Sequence, residues 1–106
     1  MQNIMNTKLS KDKLKELIAT KIPEAKSRNG VIYTILSVRD TISGIRQTMK
    51  KEFNIDTDEF YEAYKNEDLT QLDTLTNDIL KEKYGLFMAQ SPTWAILKRV
   101  YELTSK

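Results

Sequence analysis

The chain of 106 residues contains no cysteine and no histidine. Without cysteine it can form neither a disulfide nor a thiolate metal site, which excludes a stapled secreted scaffold and makes a cytoplasmic setting the expectation. Without histidine it lacks the commonest general base and the commonest metal ligand at once. Only 3 Gly and 2 Pro are present, so a disordered linker composition is excluded too. No stretch approaches the ~20 apolar residues that span a bilayer, and MQNIMNTKLSKDK has no apolar run of signal-peptide length. We therefore expect no membrane partner.

With 40% apolar and 30% charged residues, the composition is that of an ordinary globular chain. Residues 1–106 are too few to divide into two self-sufficient cores, so a single domain is expected. The net charge of +2 hides a sorted distribution. Residues 1–52 carry 11 Lys/Arg against 5 Asp/Glu, residues 53–83 carry 3 against 9, and residues 84–106 carry 3 against 1. A basic front followed by an acidic middle makes a dipole that recruits and orients partners of opposite sign.

Helix punctuation is frequent. Ser10 is placed to cap a first helix, with Leu9 and Leu14 as a hydrophobic staple, and Pro23 ends it. PEAKSRNG reads as a loop turning at Asn29-Gly30. From Val31 to Phe53, apolar residues Val31, Ile35, Val38, Ile42, Ile45, Met49 and Phe53 recur at steps of three and four, which predicts helix. That stretch is either one long helix or two, broken near Ser37–Asp40, where Asp40 could cap a helix starting at Thr41. A strand over VIYTI is the minority reading. Asp56-x-x-Glu59 opens another helix to about Asn66, and Thr70-x-x-Asp73 a further one ending at Gly85. Ser91-Pro92 opens the last, carrying Trp94, Leu97, Val100 and Tyr101. The expected fold is all-α, a compact domain of five or six helices.

In its broken form, the segment 31–53 resembles a helix-turn-helix. That resemblance implies double-stranded DNA as partner, with the second helix in the major groove. Thr41, Ser43, Arg46 and Gln47 would then meet base edges, and Arg39, Lys50 and Lys51 would contact phosphates, joined by Lys26 and Arg28. The competing reading makes Arg46, Lys50 and Lys51 the solvated side of one amphipathic helix. The acidic run from Asp56 to Asp68 lacks the glycine and spacing of a calcium loop. Phe60, Tyr61, Tyr64, Tyr84, Phe87, Trp94 and Tyr101 lie away from the cations, which argues for core and against stacking on single strands.

A nucleophile with its base, a phosphate-cradling glycine loop and a metal-ligand cluster are all missing from the sequence, so no catalytic residue, metal or cofactor is expected. The leading expectation is a non-enzymatic DNA-binding regulatory or accessory protein, working as a homodimer. The alternative is a protein–protein adaptor or inhibitor, of the type encoded by phages or plasmids, docking through its bipolar charged surface. The DNA site, the partner and the oligomeric state are not legible in the sequence.

Overall fold

The computed structural model describes residues 8–87 and 89–105. Ser10 accepts a hydrogen bond from the Lys13 N–H at 3.3 Å and opens helix α1, Lys11–Lys21, whose Leu14 and Ile18 are buried. After Pro23 the chain enters a meander of four antiparallel strands, β1 (Glu24–Lys26), β2 (Ile32–Val38), β3 (Thr41–Arg46) and β4 (Lys51–Asp56), hydrogen-bonded in that order. Asp56 then caps α2, Thr57–Asn66, by accepting from the Glu59 N–H at 3.0 Å. A 3-10 segment, Leu69–Thr74, leads to α3, Asn77–Tyr84, which Gly85 ends in the left-handed region at φ +74°. The last helix, α4, runs Gln90–Thr104.

The all-α expectation is therefore overturned: the molecule is α+β, with residues 32–56 forming most of the sheet. The helical spacing of this segment has a strand origin. Ile35 and Val38 lie three apart yet both pack on the core, because a bulge between Ile35 and Ser37 shifts the register. Val38 and Ile42 lie four apart because the turn at Arg39-Asp40 separates them, and they are cross-strand partners. Ile42 and Ile45 continue the apparent period from opposite faces of β3, the first fully buried and the second half-buried. Turns and a bulge thus imitate a period of 3.6, while the Val, Ile, Tyr and Thr content carries the true preference. PEAKSRNG likewise contributes β1 before turning at Gly30, φ +84°.

One face of the sheet carries Ala25, Tyr33, Ile42, Phe53 and Ile55 into the core. α4 closes it, burying Trp94, Ala95, Ile96, Leu97 and Val100, and the Trp94 indole N–H donates to the Leu72 carbonyl at 2.9 Å. α1 packs on β2, and α2 on β4. The opposite face, with Thr34, Thr41, Ser43, Ile45, Glu52 and Asn54, faces solvent. Of the connection Leu86–Ala89, Leu86 and Ala89 are buried and Phe87 is exposed; Met88 lies outside the described residues. Among the described residues, no helix is long and apolar enough to cross a membrane.

Candidate functional site

The β1–β2 and β3–β4 connections lie at one end of the meander, and the β2–β3 turn lies at the other. This sorts the cations by position. Arg46 ends β3, Lys51 begins β4, and Lys50 sits in the hairpin between them, with Lys26 and Arg28 in the neighbouring β1–β2 region. Gln47 joins this end, its side-chain amide donating to Thr34 Oγ1 at 3.1 Å. Arg39 is exposed at the far turn. Thr41 and Ser43 lie on the open face of β3, where their hydroxyls sit 3.1 Å apart and Ser43 donates to Asn54 Oδ1 at 2.7 Å.

No recognition helix exists at Thr41, which begins a strand, so the helix-turn-helix and its groove-reading helix are corrected with the fold. Six of the nine proposed DNA-contacting residues, Lys26, Arg28, Arg46, Gln47, Lys50 and Lys51, are brought to one end; Arg39, Thr41 and Ser43 are not. Arg28 is already engaged: its guanidinium lies 4.5 Å over the Trp94 ring and donates to the Leu75 carbonyl at 2.5 Å.

Register makes the basic end unusual. Tyr33, Arg46 and Lys51 are direct cross-strand neighbours in one row, so two cations face each other across β3 and β4. Directly opposed like charges destabilise a sheet. Among the described residues no carboxylate forms an ion pair with Arg46, Lys50 or Lys51. Arg46 Nε is buried without a hydrogen-bond partner. The hairpin beside them is strained, with Met49 at φ +68° and Lys50 at φ +51°, both non-glycine residues in the left-handed region. Met49 is 79% exposed at its tip.

Beneath this row is a cleft of about 490 Å³ between the sheet and the first residues of α3 and α4. Tyr33, Arg46, Lys51 and Phe53 line its sheet side, and Asn77 and Ser91 its helical side. The Tyr33 and Phe53 rings meet edge to face at 5.5 Å and form a nearly buried floor of the cleft beside the cations. Sequence reasoning missed both rings because the strand register that joins them to Arg46 was read as helix. The alternation in KEFNID was the available signal.

The acidic pole forms at the other end, where Asp40, Asp56, Asp58 and Glu59 gather around the start of α2. A Lys11–Asp58 ion pair holds the Asp58 carboxyl below its ordinary value, while burial, and then the Asp56 charge, push Glu59 up. Five strand steps, about 17 Å, separate the poles, roughly two Debye lengths at physiological salt, so each acts on its own surroundings. Among the described residues no group of three or more Asp or Glu is arranged to hold a metal ion. No family model matches the chain, nor does any curated protein or solved structure.

Proposed function

We propose that the protein is a non-enzymatic cytoplasmic docking module that binds an acidic protein partner through the basic end of its sheet. The observation carrying this reading is the unpaired Arg46–Lys51 cross-strand pair. Two like charges held face to face cost stability that an incoming carboxylate recovers, so the site favours an anion before any other contact forms.

Magnitude favours a protein over duplex DNA. DNA-binding proteins typically neutralise about 6–10 phosphates. Here Arg46, Lys50 and Lys51 form the core of the patch, Arg28 is committed to Trp94 and Leu75, and Glu52 lies beside them. A few carboxylates match that supply better than a phosphate backbone does.

The test is a fluorescence anisotropy titration with a labelled octaglutamate peptide and, separately, a random-sequence duplex. We expect salt-sensitive peptide binding that Lys51→Glu abolishes, while the same substitution raises stability by about 0.5–1 kcal/mol by removing the like-charge pair. Duplex binding whose salt dependence reports six or more phosphates, without peptide binding, would reverse the assignment.

A further inference from the structure

β4 is an edge strand, and the register fixes which of its backbone groups are free. The Thr57 N–H donates to the Asp40 carbonyl at 3.0 Å, making Asp40 and Thr57 a hydrogen-bonded pair one step beyond Thr41↔Asp56. Antiparallel pairs alternate, so Ile55, Phe53 and Lys51 bond to β3, while Asn54 and Glu52 direct their N–H and C=O outward. The bonding of Asn54 Oδ1 with Ser43 keeps its side chain on the open face. Yet Glu52 and Asn54 both line the cleft that runs beneath the core-side row. The cleft thus reaches the strand's outer edge, where two donors and two acceptors have no strand beside them.

Resting on the docking function above, we propose that the partner is bound as an added strand: an extended acidic segment pairs with the outer edge of β4 and places alternate side chains in the cleft. Backbone bonds to Glu52 and Asn54 supply the pairing, and the cleft supplies selectivity. Side chains of the added strand on the core side enter the cleft, where the Arg46–Lys51 pair selects carboxylates. α4 begins beside them without a side-chain cap, which adds to the positive field. Charge complementarity therefore chooses an acidic strand over a basic or neutral one.

Two capped octapeptides of equal charge separate strand addition from simple attraction: alternating Glu-Val, which can form a strand, and the same peptide N-methylated at every residue, which has no backbone donor. We expect Glu-Val to bind about tenfold more tightly. Amide exchange at Glu52 and Asn54 should slow when it binds. Asn54→Pro deletes one outward N–H without removing a bond to β3 and should bring Glu-Val down towards the level of the N-methylated peptide. Asn54→Ala keeps that N–H and should bind as the parent does. Equal affinity of the two peptides, with unchanged exchange at Glu52 and Asn54, overturns strand addition and leaves the basic-end reading standing. Binding of neither peptide overturns both. A parent dimer that Asn54→Pro converts to monomer puts a second copy on the edge and overturns the acidic partner.

Discussion

Glu67, at the C-terminal end of α2, connects several segments through one carboxylate. It accepts from the Tyr84 hydroxyl and from Lys83 Nζ at 3.1 Å, and Lys8 Nζ bonds to its carbonyl at 2.8 Å. Partial burial pushes its pKa up, but the Tyr84 and Lys83 hydrogen bonds and the nearby lysine charges outweigh that and hold it below the ordinary 4.5. A carboxyl whose folded pKa is lowered adds stability that is complete above the unfolded value and is lost as pH falls through the folded one. Thermal melts should therefore lose stability below about pH 4.5, and Glu67→Gln should flatten that acid limb while lowering stability at neutral pH. An unchanged acid limb would show that Glu67 is not the group titrating there. The residue scale was also where the sequence was hardest to read. Arg28 has the composition of a phosphate contact, and only the tertiary structure brings Trp94 beneath its guanidinium.

At the scale of elements, local signals were legible and the nonlocal pairing was not. Ser10, Asp56 and Gly85 all terminate helices as their sequence contexts indicate, because a cap needs only neighbours a few residues away. The expected helix from Thr70 is instead a 3-10 segment capped by Asp68, with Thr76 capping α3. The last helix begins at Gln90, one residue before Ser91. The sheet was missed because its bulge and turns reproduce helical spacing. Gly44 is where β3 lets rings from β2 and β4 meet. A Cβ there would lie 2.8 Å from Phe53 Cζ and would collide with the Thr34 carbonyl oxygen, a backbone atom that cannot step aside cheaply. Gly44→Ala should cost about 3 kcal/mol, lowering Tm by about 10 °C or more. A melt within a degree or two of the parent would contradict this packing of the sheet.

For the molecule as a whole, the charge sorting seen along the chain survives folding only in part, because Lys11 and Lys15 of the basic front lie by Asp58 at the acidic end. The β1–β2 and β3–β4 connections come from the basic front and lie together, while the turn at Asp40 and the start of α2 form the acidic end. This much was readable because a meander keeps sequence neighbours close. The site itself was not, since Tyr33, Arg46 and Lys51 become one row only through pairing across three strands. The most direct measurement is an amide chemical-shift map of the labelled protein titrated with the octaglutamate peptide. The account predicts perturbations concentrated at Tyr33, Arg46 and Lys50–Asn54, with Thr41 and the start of α2 silent. A map centred on the open-face residues Thr41 and Ser43, or on the acidic pole, would contradict it.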